Sequence, residues 1–141
     1  MLGIDYGSKR IGLAISDELG VIAQPLSIIE RKNKQSDLEA IRKIIDSYQI
    51  EKIIIGYPVR LDGTEGIQCE KVDRFIALLN EELKLPIVKW NESLSSWEAE
   101  EVISEAGIKG KDRKKFIDKI AAAIILQSYL DQAKNVKISN Q

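Results

Sequence analysis

The sequence contains no histidine and a single cysteine, Cys69, among its 141 residues. The absence of histidine excludes catalytic triads with an imidazole base and the usual histidine-rich zinc centres. One cysteine forms no internal disulfide and builds no zinc site, so we expect a cytoplasmic protein. Any hydrolysis must therefore use carboxylates, lysines or an oxygen-liganded ion such as magnesium.

Long hydrophobic runs and a strong net charge are also missing. The longest apolar run, Ile120 to Leu126, is far shorter than the roughly 20 residues of a membrane-spanning helix. The opening residues MLGIDYG have no basic segment followed by an apolar stretch, so we expect neither a secretory signal nor a membrane partner. The net charge of −1 means that a nucleic-acid-binding protein of this composition must gather its cations locally.

What is present is the composition of one soluble globular domain. Hydrophobic residues make up 44% of the chain and charged residues 30%, and no repeat or linker interrupts it. We predict a single domain over residues 1–134, followed by a polar C-terminal tail over residues 135–141.

The order of the predicted elements indicates an α/β fold. Three strands joined by short turns form an antiparallel meander, and the chain then alternates between helical and strand patterns. The strands are Leu2 to Tyr6, Ile11 to Asp17, Val21 to Ile29, Lys52 to Gly56 and Pro86 to Trp90. The helices are Ser36 to Tyr48, one marked by Val72 to Leu83, Leu94 to Ala106 and Lys114 to Ala133; Tyr57 to Gly66 and Gly107 to Arg113 are loops. This order predicts a five-stranded mixed sheet with αβ crossovers and helices on both faces.

Asp5 is the first candidate for chemistry because it lies between Gly3 and Gly7 on one face of the first strand. An acidic residue on a central strand needs a partner. The second strand also has a small face, formed by Gly12, Ala14 and Ser16, which leaves room for a ligand or for a close backbone approach. The alternative is that the glycines only let a helix pack closely, with Asp5 capping a turn.

Two further acids complete a candidate site. Glu92 follows the fifth strand, at the carboxyl end where ligands collect in parallel sheets, although a glutamate there is usually a solvated loop residue. Asp118 begins a helical face that continues through Ala121, Ala122 and Ile125, and the apolar run beyond it predicts a largely buried helix. Its other interpretation is an acid that complements the helix dipole.

Three carboxylates that converge repel one another, and divalent cations are the usual compensation. Two magnesium ions between such groups activate water and hold the leaving oxygen in phosphodiester cleavage. Convergence itself is not visible in the sequence; the predicted fold implies it.

Basic residues lie near the same elements and are candidate phosphate contacts. The alternative for the cluster before Asp118 is a solvated loop and helix start, although lysines at a helix N-terminus oppose its dipole. The candidates are Lys9, Arg10, Arg60, Lys109, Lys111, Arg113, Lys114 and Lys115.

Four blocks of the sequence, in order, resemble the YqgF family of ribonuclease H-like proteins. They are GIDYGSKRIGLAISD, GYPVRLDGTEG, NESLSSWEAE and KKFIDKIAAAIILQSYL. The family is described both as Holliday junction resolvases and as nucleases of pre-16S rRNA. The resemblance implies a ribonuclease H-like fold and a Mg²⁺- or Mn²⁺-dependent endonuclease that processes pre-16S rRNA at its 5′ side. It leaves a role on branched DNA and a homodimeric assembly open.

Carried over by position, the family's metal ligands and catalytic residues fall on Asp5, Glu92 and Asp118. The third block departs from the family's pattern, with Asn91 where the family usually has Asp and Ser93 where it has Arg. The departure removes a phosphate or supporting contact and keeps a rival open, namely a non-catalytic RNA- or DNA-binding module of the same fold. The first hairpin also resembles that of sugar kinases and actin-like ATPases. Those proteins need two such lobes to enclose a nucleotide, and 141 residues supply only one.

Overall fold

The structure is a computed structural model that describes residues 1–58, 66–91, 107 and 111–139; within the last range, the side chains of residues 111–115 and 135–139 are not described. The predicted third helix, Leu94 to Ala106, lies outside these ranges. The strands are β1 (Leu2–Tyr6), β2 (Arg10–Ser16), β3 (Ala23–Glu30), β4 (Ile53–Tyr57) and β5 (Ile87–Asn91). The helices are α1 (Lys34–Tyr48), α2 (Ile67–Glu82) and α3 (Lys111–Ser139).

The strands form one mixed sheet in the order β3-β2-β1-β4-β5, which confirms the predicted architecture. β1, β2 and β3 pair antiparallel, as the short turns between them indicated. β4 then pairs parallel to β1, and β5 parallel to β4. The carboxyl ends of β1, β4 and β5 therefore lie at the same edge of the sheet.

The two faces of the sheet differ in the size of their side chains. Leu2, Ile4, Ile11 and Leu13 point into a large core that α1 and α2 cover. Ala14 and Ile54 point to the opposite face, where they pack against Ala122, Ile125, Leu126 and Leu130 of α3. The alternation predicted from the sequence is confirmed in both strands, and helices lie on both faces.

Local signals explain most differences at element ends. Helix α1 begins at Lys34, earlier than the predicted Ser36, because Asn33 is the N-cap and its side-chain oxygen accepts from the Ser36 amide at 2.8 Å. β3 begins at Ala23 rather than Val21, since the Val21 and Ile22 amides donate instead to the Asp17 carboxylate in the turn. Pro25 is tolerated in β3 because β3 is an edge strand.

Helix α3 departs further from its prediction. It begins at Lys111 and continues to Ser139, so part of the predicted loop before Asp118 and part of the predicted tail are helical. Its apolar run is not buried all round. Ala121, Ala122, Ile125 and Leu126 are buried, whereas Ile120 and Ile124 are only half-buried because one side of α3 rests on the sheet. Among the described residues, no helix is long and apolar enough to cross a membrane.

Candidate active site

The contact between Gly12 and α3 is the tightest feature near the predicted site. A Cβ atom at Gly12 would collide with the main-chain carbonyl oxygen of Asp118. At Gly3 a Cβ would lie 2.8 Å from Cβ of Leu126 and 3.0 Å from the carbonyl oxygen of Ala122. The backbone of α3 therefore packs on the small face of the first two strands. Of the two explanations for that face, room for a ligand or a close backbone approach, the structure shows the second.

Asp5 lies on this same face of the sheet. It pairs with Gly12 in the antiparallel register of β1 and β2, and residues directly opposite in such a pair point to the same face. The main chain at Asp118 passes over this face at Gly12, so the fold places this segment of α3 against the strand pair that carries Asp5. Asp5 is half-buried, so its carboxylate is not wholly cut off from solvent.

Asp118 is held by an ion pair with Arg10. The Arg10 Nε donates to the Asp118 Oδ2 at 2.7 Å, and the two side chains are 23% and 22% exposed. Arg10 begins β2, and Asp118 lies in the third turn of α3, so the pair links the sheet to the helix. The sequence predicted Arg10 as a phosphate contact and did not reveal its carboxylate partner, because the two are distant in the chain.

The other predicted residues fall into three groups. Lys9 is exposed at the tip of the β1–β2 hairpin, where it can meet a ligand from solvent. The first five residues of α3 include four members of the basic cluster, whose backbone alone is described: Lys111, Arg113, Lys114 and Lys115. Three predicted site residues lie outside the described residues, namely Arg60, Glu92 and Lys109.

No cluster of three acidic, histidine or cysteine side chains suited to a metal occurs among the described residues, a set that excludes Glu92. Asp5 and Asp118 would supply only oxygen atoms, which is the donor chemistry that magnesium and manganese accept. Asn91, the residue before Glu92 in the chain, is the last residue of β5 and lies at the shared carboxyl edge of β1, β4 and β5.

Another acid, Asp73 of α2, already has a cationic partner. Its carboxylate accepts from the Lys89 ammonium at 2.7 Å and from the Tyr57 hydroxyl at 2.8 Å. The Lys89 hydrogen bond holds the pKa of Asp73 below its usual value. Tyr57 belongs to the core on the α1 and α2 side. Asp73 is therefore a member of a structural ion pair away from the face that carries Asp5.

Comparison with known proteins assigns the chain to a family. The sequence profile described as "RuvX: Holliday junction resolvase" matches residues 1–132, nearly the whole chain. The chain belongs to the RuvX family. This is the YqgF family whose blocks the sequence resembles, so the sequence-based assignment is confirmed.

Curated relatives of the RuvX chain carry a nuclease name. A protein from Syntrophus aciditrophicus (strain SB) is 50% identical over 138 residues, covering 98% of this chain and 92% of its own. A second, from Halothermothrix orenii, is 49% identical and covers 93% and 94%. Both are named "Putative pre-16S rRNA nuclease".

Solved structures confirm the ribonuclease H-like fold. RuvC of Thermus thermophilus, in a complex with a Holliday junction, aligns with a TM-score of 0.53 at 15% identity, covering 94% of both chains. The fowlpox virus resolvase, also bound to junction DNA, aligns with a TM-score of 0.53 at 16% identity and covers 94% of this chain and 99% of its own. At these identities the likeness concerns the fold.

Proposed function

We propose that this RuvX chain is a metal-dependent endonuclease that hydrolyses phosphodiester bonds in structured nucleic acid. Its proposed main substrate is pre-16S rRNA, processed at the 5′ side in the cytoplasm, with branched DNA as a second substrate. The observation that supports the proposal is the close packing of the Asp118 backbone on Gly12, the residue opposite Asp5 in the sheet, in a chain whose relatives are named as nucleases.

Asp5, Glu92 and Asp118 are the proposed metal ligands and catalytic carboxylates. Glu92 is proposed from its place in the family's third block and from its position directly after β5 in the chain. A Mg²⁺ or Mn²⁺ ion bound there would lower the pKa of a water molecule and stabilise charge on the leaving oxygen.

The protein's own residues contribute position and charge. Gly12 lets the backbone of α3 approach β2, which sets the distance between the two acids. Arg10 orients the Asp118 carboxylate and offers a cation beside it. Lys9 and the basic cluster of α3 are proposed phosphate contacts that hold the strand over the acids.

Cleavage by Asp5→Asn protein is the decisive test. An RNA containing the 5′ side of pre-16S rRNA and a four-way DNA junction are each incubated with Mg²⁺ and with Mn²⁺. We expect the parent to cleave RNA and the variant to lose cleavage, with its fold kept or slightly stabilised as carboxylate repulsion falls. Equal cleavage by both proteins would remove Asp5 from the mechanism.

Asp46→Asn is the matched control, because it removes the same charge from an exposed position on α1. It should cleave like the parent. If the parent itself cleaves neither substrate with either metal, the endonuclease proposal fails as a whole.

A non-catalytic nucleic-acid-binding module is the second candidate. Two features favour it: Asn91, the last residue of β5, stands where the family usually has Asp, and Asp118 is already paired with Arg10. A module of this kind would bind the same RNA without cleaving it, and Asp5→Asn would leave its affinity unchanged.

A further inference from the structure

A basic cavity lies on the face of the sheet opposite Asp5. It has a volume of about 300 Å³ and opens between the β1–β2 hairpin and the helices α1 and α2. Its charged lining is Arg31, Lys34, Lys71 and Arg74, and it contains no acidic side chain. None of these residues belongs to the proposed metal site.

Three of these cations lack a carboxylate partner within the described part of the chain. Lys34, Lys71 and Arg74 are exposed, and no ion pair joins them to an acid there, although Arg42 and Lys89 on the same side of the sheet do have such pairs. Lys34 is also the first residue of α1, where the helix dipole disfavours a cation. Stability of the fold therefore does not explain their grouping.

Arg31, the fourth cation of the cavity, makes hydrogen bonds to the β1–β2 hairpin. Its Nη1 donates to the carbonyl oxygens of Gly7 and Ser8 at 3.0 and 3.2 Å, and its backbone amide donates to the Lys9 carbonyl. It therefore anchors the hairpin that follows Asp5 in the chain. This anchoring holds the cavity wall in a defined position relative to the proposed active site.

The aromatic residues of the cavity offer no free face to a base. Tyr6 stacks on Phe75 with ring centroids 4.2 Å apart, and the Arg31 guanidinium lies 4.5 Å from the Tyr6 ring centroid on the remaining side. Phe75 itself is only 5% exposed. Charge, rather than base stacking, is what this cavity presents to a ligand, in contrast to single-strand-binding platforms.

We infer that this cavity binds the phosphate backbone of the nucleic-acid substrate, through Lys34, Lys71 and Arg74, after the strand has rounded the β1–β2 hairpin. Tyr6 directly follows Asp5 and points to the other face, so a strand leaving the acids past Gly7 and Ser8 reaches the cavity next. The contact is independent of base sequence. The inference rests on the proposed function only in taking nucleic acid as the ligand.

Binding in EDTA tests the inference without cleavage. A labelled RNA hairpin with a single-stranded extension is titrated against the parent and against Lys34→Gln/Lys71→Gln/Arg74→Gln protein over a range of salt concentrations. We expect weaker binding by the variant, and a slope of log affinity against log salt that is flatter by about 2 to 3, at 0.7–0.9 per lost phosphate contact. Extensions of different base sequence should behave alike.

The matched control is Lys43→Gln/Lys84→Gln/Lys134→Gln protein, which loses the same charge from exposed positions outside the cavity. It should keep the parent's slope. Equal slopes in the two triple variants would overturn the inference, because the effect would then be one of net charge. The RNA is also displaced with adenosine monophosphate and with inorganic phosphate at equal ionic strength. If adenosine monophosphate acts at lower concentrations, the nucleoside is recognised as well as the phosphate, and the inference is overturned.

The two proposals can fail separately. If the parent cleaves no substrate but the cavity variant has a flatter salt slope than the parent, the endonuclease proposal fails and the proposed phosphate binding in the cavity is supported. If the parent cleaves and its salt slope equals that of the cavity variant, the endonuclease proposal is supported and the proposed phosphate binding in the cavity fails.

Discussion

The Arg10 guanidinium and the Asp118 carboxylate form a 2.7 Å ion pair at the place where α3 crosses β2. The oxygen that accepts from Arg10, Oδ2, is one of the two that Asp118 can offer to a metal ion. The proposed metal binding and the ion pair would therefore draw on the same carboxylate. If the pair opens, a substrate phosphate could take the place of Asp118 beside Arg10, and a bound cation could take the place of Arg10 beside Asp118.

Arg10→Gln should tighten metal binding and weaken substrate binding. A partly exposed ion pair is worth about 1 kcal/mol, so we expect Mn²⁺ affinity to rise about fivefold in the free protein. RNA affinity should fall as a phosphate contact is lost. Isothermal titration with Mn²⁺ and an RNA-binding assay measure the two effects.

Arg42→Gln is the control for this prediction, since Arg42 pairs with Glu82 at 3.3 Å, away from both acids. It should leave Mn²⁺ affinity unchanged. Weaker or unaltered Mn²⁺ binding by Arg10→Gln would show that Arg10 does not compete with the metal.

Gly12→Ala should destabilise the protein and impair cleavage together. The added methyl group meets the Asp118 backbone, which cannot rotate away as a side chain can, so α3 must shift. Overpacking of this kind costs about 1–3 kcal/mol. Urea denaturation and the cleavage rate measure the two effects.

Gly3→Ala provides the comparison, because its methyl group would meet the Leu126 side chain at 2.8 Å. We expect a smaller loss of stability and a smaller loss of activity, since this contact is a full turn or more from Asp118. The reverse ranking would mean that Gly12 does not set the position of α3.

Neutralising Lys111, Arg113 and Lys115 together should weaken nucleic-acid binding broadly. The three cations lie in the first turns of α3, shortly before Asp118 in the chain. Each phosphate contact that is lost should flatten the salt dependence of the affinity by about 0.7–0.9. A salt titration of RNA binding measures this, with the Lys43, Lys84 and Lys134 variant as the control for net charge. An unaltered slope would show that the cluster does not touch phosphate.

Asp17 should make the stability of the fold depend on pH in the acidic range. Its carboxylate accepts from the Val21 amide at 2.7 Å and from the Ile22 amide at 3.2 Å, and these bonds hold the pKa of Asp17 below its usual value. Because the folded-state pKa is the lower one, the stabilisation is present above the unfolded-state pKa of about 3.9. It is lost as the pH falls through the folded-state value.

Asp17→Asn keeps an oxygen acceptor but does not titrate, so its stability should fall less between about pH 6 and about pH 3 than that of the parent. Urea midpoints at the two pH values measure the difference. Asp46→Asn, which removes an exposed acid from α1, is the control. Parallel pH profiles for the parent and Asp17→Asn would contradict the prediction.

Patterns local to the chain were sufficient for the architecture. The alternation of Leu2, Ile4 and Tyr6 with Gly3 and Asp5 is a property of any extended backbone, so it assigns faces before the fold is known. Short turns require antiparallel neighbours, and αβ crossovers require parallel ones. The predicted ends of α3 were wrong because helix boundaries depend on packing and on capping contacts that hydrophobic spacing does not show.

The sequence by itself determined the strand and helix order, the two faces of β1 and β2, the family and the exclusion of histidine chemistry. Only the tertiary structure decided that α3 fills the small face at Gly12, that Arg10 pairs with Asp118, and that Lys34, Lys71 and Arg74 share one cavity. The reason is physical: periodicity reports each residue's position within its own element. Contacts between residues far apart in the chain depend on how closely the elements pack, and that is set by many side chains at once.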